Sequence, residues 1–270
     1  SRLSLIRVGM NTDHIDHEGF ISIPKALKKI NSKYRTAHFG KWGMGSHPSV
    51  LGYDVSDGPT KNKDGNFNNN KSQWENVFKK DPKNIFSLTD RAIEFIVSSN
   101  SEKKPFYLQI SHYAVHSNIE SKEKTYTRFK EKTKGAQQKD PGFAAMTFDL
   151  DEGLGILLKK IKELEIEDNT YIIYMSDNGS VPNIPGAKKY EKSYNYPLSR
   201  GKWDALEGGV RVPLIIAGPG IKNDSESAIP VSGVDLLPTL MDLAGNKKIT
   251  LNEIDGGSFA SILLNKNNEQ

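Results

Sequence analysis

Four short apolar runs, separated by segments of helical periodicity, are what most limits how this chain can fold. Arg35-Thr36-Ala37-His38-Phe39 ends in Gly40, and Phe106-Tyr107-Leu108-Gln109-Ile110 follows Pro105. Thr170–Met175 is β-branched and aromatic, and Val212–Ala217 is closed by Gly218-Pro219-Gly220. Each has the length and composition of a strand. Pro24–Ile30 opens on a proline and puts Leu27 and Ile30 on one helical face. Ser87–Ile96 reads as a helix with Ser87 or Thr89 as its cap. Across Ala145–Leu164, Met146, Leu150, Leu154, Leu157, Leu158, Ile161 and Leu164 step by three or four, an amphipathic stripe. Val234–Leu243 reads as a helix ended by Gly245. Residues 61–73, rich in Asn, Lys and Gly, are expected as a surface loop, and 117–141 as a polar loop with a short helix. Strands alternating with helices predict an α/β fold, a mostly parallel central sheet flanked by helices, with no repeat and no linker across 270 residues.

Composition removes several function classes. The absence of cysteine excludes a disulfide scaffold, a zinc finger, an iron–sulfur cluster and a cysteine nucleophile within the chain. The net charge of +4 is too mild to mark a nucleic-acid binder. That charge is uneven: residues 1–135 hold 23 basic and 14 acidic side chains, residues 136–270 hold 14 and 19. A basic half attracts anionic substrates. No apolar run approaches the length of a membrane span. Ser1-Arg2-Leu3-Ser4-Leu5-Ile6 is not a signal peptide and starts as though inside a structural element.

In open α/β sheets, ligands bind beyond the carboxyl ends of the strands, so the segments that follow the strands carry the chemistry. They are Gly40-Lys41-Trp42-Gly43, Ser111-His112-Tyr113-Ala114-Val115-His116 and Ser176-Asp177-Asn178-Gly179, with Ser199-Arg200-Gly201-Lys202 ahead of the last strand. Taken singly, each has an ordinary structural explanation. The two lysines lack the first glycine of a phosphate-binding loop, and tryptophan follows both. His112 and His116 follow a strand, which disfavours a shared zinc, and either could serve a backbone carbonyl. Asp177-Asn178-Gly179 is a common turn sequence and equally a pair of oxygen ligands for a hard cation. Asp13-His14-Ile15-Asp16-His17 is dense in ligand-type residues and equally an exposed loop. Together, two lysines, a histidine and an Asp-Asn oxygen pair suit a tetrahedral oxyanion held beside a cation, and hence sulfuryl or phosphoryl transfer.

At these residues the chain resembles the sulfatase family (arylsulfatase type) of the alkaline phosphatase superfamily. Tyr34–Trp42 resembles the family's Y-x-T-x-x-x-G-K-W segment, and Gly52-Tyr53-Asp54 its G-[FY]-D. His112–His116 is similar to its H-x-P-H region. Leu150–Gly155, Asp168-Asn169-Thr170 and Ser176–Gly179 resemble its long helix, strand and metal loop. Pro197–Lys202 with Glu207-Gly208-Gly209-Val210-Arg211-Val212-Pro213 resembles P-L-R-G-x-K and E-G-G-x-R-V-P, and Asp235–Leu240 the D-x-x-P-T helix.

The resemblance implies an alkaline-phosphatase-like fold and a sulfuric ester hydrolase, with sulfated carbohydrates as a candidate substrate class. It implies that Asp177 and Asn178 bind Ca2+, that Lys41 and Lys202 hold the sulfate oxygens, and that His116 is the general acid. The family nucleophile is a formylglycine made from Cys or Ser in C/S-x-P-S-R. Ser1-Arg2 resembles the end of that motif, so Arg2 would steady a nucleophile three residues before Ser1. Residues 1–270 are thus expected to be a sulfatase catalytic domain incomplete at both ends, with little or no turnover of sulfate esters on its own. The family's paired N-terminal aspartates and its C-terminal subdomain are expected outside it. Where the family usually has histidine after the first sulfate lysine, this chain has Gly43, with His47 and His14 as candidate substitutes. Family membership implies export to the periplasm or beyond. The rivals are a phosphoester or phosphonate hydrolase of the same superfamily, and a non-catalytic protein that binds sulfated glycans.

Overall fold

Ser22 accepts a hydrogen bond from the Lys25 amide and Pro24 sits in the first turn, so helix α1 (Ile23–Ile30) starts where a cap and a proline dictate. The computed structural model describes residues 21–135, 139–181, 195–245 and 254–264. Arg2, His14 and the Asp13–His17 cluster lie outside the described residues. Contacts divide the chain into two units, residues 1–62, 90–111 and 220–270 in the first, 63–89 and 112–219 in the second.

The first unit is built on a three-stranded parallel sheet. β1 (Arg35–Gly40) lies between β2 (Val55–Ser56) and β4 (Phe106–Ser111), pairing Ala37 with Val55 and with Leu108. Ala37 and Phe39 of β1, Ala92, Phe95 and Ile96 of α2 (Ile85–Ser101), and Ala26 and Leu27 of α1 are buried. Helix α6 (Leu236–Leu243) adds Met241 to this unit's core, and the short α7 (Ala260–Leu263) packs on α6. The sequence motifs around β1 are its clamps. Asp54 accepts from the amide and hydroxyl of Thr36, each at 2.9 Å, and pairs with Lys28. Burial opposes the charge of Asp54, but the bonds from Lys28 and Thr36 outweigh it and hold the carboxyl below its usual range.

The second unit holds β3 (Val77–Phe78) parallel to β5 (Glu120–Ser121), and β6 (Ile172–Met175) paired with β7 (Leu214–Ala217). The mostly parallel arrangement stands, with the β6–β7 pair antiparallel. Helices α3 (Glu123–Glu131) and α4 (Pro141–Glu163) pack together, and the four-residue α5 (Glu207–Val210) precedes β7. Helix α4 starts four residues before the periodic stripe, because Asp140 caps it by accepting from the Phe143 amide at 2.8 Å and Pro141 follows. Its buried line is Gly142, Ala145, Met146, Asp149, Gly153 and Ile161, while Leu158 is 39% exposed. Of the expected stripe, Met146 and Ile161 are buried, Leu150, Leu154, Leu157 and Leu164 are half-buried, and Leu158 is exposed. The buried Asp149 accepts from the Lys122 amide (2.8 Å) and the Thr125 hydroxyl (2.7 Å), capping α3 from a neighbouring helix. Helix α2 likewise opens on neither Ser87 nor Thr89. Asp81 accepts from the Phe86 and Ser87 amides, while Thr89 bonds back to the Ile85 carbonyl.

Candidate functional site

Lys41 follows β1 in the first unit, and the backbone around it is held from both sides. Its amide donates to the Ser111 carbonyl at 2.8 Å, and the Gly40 amide donates to the Asp57 carboxylate at 2.7 Å. Arg91 pairs with the same carboxylate at 3.0 Å. Thr60 closes the turn: its hydroxyl donates to the Gly40 carbonyl and accepts from the Trp42 amide, and its carbonyl accepts from Gly43. Gly43, where the resemblance leads one to expect histidine, takes φ +72°, a conformation that glycine adopts without strain. His47 is exposed and caps a short 3-10 turn, its Nδ1 2.9 Å from the Ser49 hydroxyl. On strand β1, His38 is fully buried between Trp42 and Tyr53, with Nε2 3.0 Å from the Ser111 hydroxyl and, among the described residues, no partner for Nδ1. Burial depresses its pKa to about 4 against an opposing pull from Asp57.

In the second unit, the structure joins three of the expected residues. Asp177 and Asn178 follow β6, and the Gly179 amide donates to the Gly209 carbonyl at 2.9 Å. The Lys202 amide donates to the Ser180 carbonyl at 2.9 Å, so Lys202 lies beside the loop that carries the Asp-Asn pair. Asn195 ties the two segments, donating to the Ser180 and Arg200 carbonyls and accepting from the Ser180 amide. Glycines make this contact possible. A Cβ on Gly179 would stand 1.7 Å from the Gly208 carbonyl oxygen, and one on Gly208 2.3 Å from that of Arg200. Asp57, Thr60 and Asn195 carried no sequence signal, since their partners are backbone groups remote in the chain.

His116 lies on the loop after β4, in the same unit. Its Nδ1 is 2.8 Å from the Ser117 carbonyl oxygen, a contact only an N–H satisfies, so Nε2 is the nitrogen that exchanges its proton. Phe67 meets its ring edge-on at 4.9 Å. The carbonyl role considered for one of the two histidines therefore belongs to His116. The buried Nδ1 of His112 has no partner among the described residues, and burial lowers its pKa to about 4.

Asp177 is exposed and the Asn178 amide nitrogen donates to the Gly179 carbonyl at 3.0 Å, which fixes the amide's orientation. This pair suits a hard cation in kind, but Ca2+ takes six to eight oxygens. Among the described residues no group of three His, Asp or Glu side chains forms a metal site. Two oxygen donors are fewer than such a shell needs.

Comparison with known proteins agrees with the fold and the motifs. Residues 4–246 match the family model "Sulfatase". The chain is 30% identical over 190 residues to a sulfatase of Formosa agariphila, covering 66% of this chain and 33% of that protein. It is 28% identical over 282 residues to N-acetylgalactosamine-6-sulfatase of Mus musculus, covering 94% and 49%. The chain thus spans half or less of the length of these relatives. Crystal structures of Ps i-CgsB, one of them in complex with k-i-k-neocarrahexaose, superpose with a TM-score of 0.71. They are 27% and 25% identical and cover 91% and 96% of this chain, 57% and 62% of theirs. The family match over most of the chain, on a fold that sets its motif residues at strand ends, establishes that this chain belongs to the sulfatase family.

Proposed function

We propose that the polypeptide carrying this chain hydrolyses sulfate esters of glycans. The observation that carries the reading is the glycine-mediated contact that joins the Asp177-Asn178 loop to the segment bearing Lys202. That contact brings the Lys202 backbone to the loop that carries two hard oxygen donors, and a lysine ammonium together with a cation held by such donors would grip a tetrahedral anion. Lys41 and Lys202 hold the sulfate oxygens and offset the charge that builds on them in the transition state. His116, its Nδ1 anchored on the Ser117 carbonyl, delivers the Nε2 proton to the departing alcohol oxygen. Arg2 orients the nucleophile, for which the family resemblance implies a formylglycine. Asp177 and Asn178 provide two ligands to Ca2+, which when bound would neutralise charge on the sulfate. Glycan substrates fit the printed names of the relatives, N-acetylgalactosamine-6-sulfatase and the neocarrahexaose complex of Ps i-CgsB. Sulfatases are generally secreted or periplasmic, and we assign this one to that setting. Among the described residues no helix is long and apolar enough to cross a membrane.

The test is a comparison of kcat/KM for the intact polypeptide on sulfated saccharides, an aryl sulfate and a phosphodiester. Sulfate esters are expected to be preferred. Lys202→Ala and His116→Ala should each lower kcat/KM by about a hundredfold or more. A preference for the phosphodiester would replace this reading with phosphoester hydrolysis. Turnover of none of them, with sulfated saccharide still bound, would point to a binding protein.

A further inference from the structure

A cleft of about 420 Å3 opens in the second unit between the loop 63–68 and strands β3 and β5. Phe67 and Val77 give it an apolar side, and Phe67 is the ring that meets His116 edge-on. Lys63 and Lys79 stand at its rim, exposed, and among the described residues neither forms an ion pair. Asn68 and Asn118 line it as a reciprocal pair: the Asn68 amide donates to the Asn118 side chain at 2.9 Å, which donates back to the Asn68 side chain at 2.8 Å.

The wall is held in shape from below. Lys83 is fully buried, and its ammonium donates to the Gly65 carbonyl at 2.8 Å. Its amide donates to the buried Glu120 carboxylate, also at 2.8 Å, and Asn66 donates to the same oxygen at 3.3 Å. Gly65 packs so closely on Tyr113 that an added Cβ would lie 2.2 Å from its ring. The loop that carries Lys63 and Phe67 is therefore fixed against the segment 113–116. The Glu120 carboxylate, which also lines the cleft, is offset by the charge of the buried Lys83, and Lys63 and Lys79 make the balance of the cleft positive.

We propose that this cleft binds a second anionic group of a polyanionic glycan, carried by the sugar next to the one whose ester lies at His116. The Phe67 ring offers an apolar surface to sugar C–H groups, the Asn amides offer hydrogen bonds to hydroxyls, and Lys63 and Lys79 attract a sulfate or carboxylate. The assignment of His116 to the scissile ester rests on the proposed sulfatase reading; the cleft stands on its own groups.

Calorimetric titration of the intact polypeptide tests this. The probes are a disaccharide that keeps the second sulfate but lacks the scissile one, and its uncharged counterpart. The charged disaccharide should bind more tightly, and its affinity should fall with salt. Lys63→Ala with Lys79→Ala should weaken its binding by about tenfold, leaving the uncharged ligand unaffected. Lys63→Arg with Lys79→Arg should retain it. Melting temperatures establish that the variants fold, and should the alanine pair unfold, Lys63→Gln with Lys79→Gln is read instead. Equal affinity in wild type and neutralised variants overturns the proposal. So does binding of a phosphopeptide or of phosphatidylserine vesicles that depends on the two lysines while the disaccharide does not bind. If the disaccharide binds with this lysine dependence but no sulfate ester is hydrolysed, the cleft stands and the catalytic reading fails.

Discussion

At Gly208 one methyl group decides where the loop bearing Lys202 can lie. Its amide donates to the Ser199 carbonyl at 2.8 Å, and an added Cβ would come within 2.3 Å of the Arg200 carbonyl oxygen and 2.5 Å of that of Ser199. Both are backbone atoms, so relief requires the segment 199–202 to move as a unit. Gly208→Ala is therefore expected to lower kcat/KM on a sulfate ester by about a hundredfold, since displacements of about 1 Å at a reacting centre cost that much. Gly233→Ala, where no heavy atom lies within 4 Å, should leave turnover unchanged. Equal kinetics for Gly208→Ala and wild type would mean that the loop can shift without harm. Strand-end positions and motif spacing make Lys41, Asp177, Asn178 and Lys202 candidates, and the structure brings the backbone of Lys202 beside the loop of Asp177 and Asn178. What spacing cannot express is a side chain whose partners are backbone groups of another segment. Asp57 under Gly40, Thr60 across Lys41 and Asn195 between Ser180 and Arg200 are all of that kind.

Helices show the same limit one level up. Periodicity located α1, α2, α4 and α6 and the buried Met146 and Ile161 of α4, yet it passed over the equally buried Gly153 and Asp149. Both face neighbouring elements: Gly153 meets Ile85 of α2, and Asp149 caps α3. Strand pairing was less legible still. Nothing in the runs at 172–175 and 214–217 marks them as an antiparallel pair, since a connection of that length permits either direction. Two glycines two positions apart in α4 make the helix testable. A Cβ on Gly153 would lie 2.7 Å from the Ile85 Cγ2, whereas one on Gly155 meets nothing within 4 Å. Gly155→Ala should stabilise the protein by about 0.5–1 kcal/mol through helix propensity. Gly153→Ala gains the same propensity but must push α2 away, and a net loss of about 1–3 kcal/mol is expected. Urea unfolding of the two variants measures both values. If Gly153→Ala also proves stabilising, the packing of α4 on α2 is looser than described.

For the whole molecule, the two buried imidazoles link folding to pH. His38 in the first unit and His112 in the second are both held near a pKa of about 4, by burial that disfavours their charged forms. Asp57 faces His38 and pulls the other way without reversing the effect. In the unfolded chain both titrate near the ordinary histidine value of about 6.5. Between these limits these groups bind more protons in the unfolded state than in the folded one, so the stability the two imidazoles contribute is complete above about pH 6.5 and is lost as pH falls towards about 4. Each histidine can contribute a slope of at most about 1.4 kcal/mol per pH unit in that window. Asp54, held below its usual range, adds its loss only at lower pH, as its carboxylate protonates. Urea unfolding at pH 7.5, 6, 5 and 4 should therefore show stability falling well before carboxylates titrate. His38→Gln and His112→Gln lower stability at pH 7.5, where the native rings are packed and neutral, but each should flatten the slope between pH 6.5 and about 4. The slope is the decisive reading, because a merely destabilising substitution shifts the whole curve without changing its dependence on pH. A wild-type curve that is flat from pH 7.5 to 4.5 would show that neither imidazole stays neutral in the folded protein.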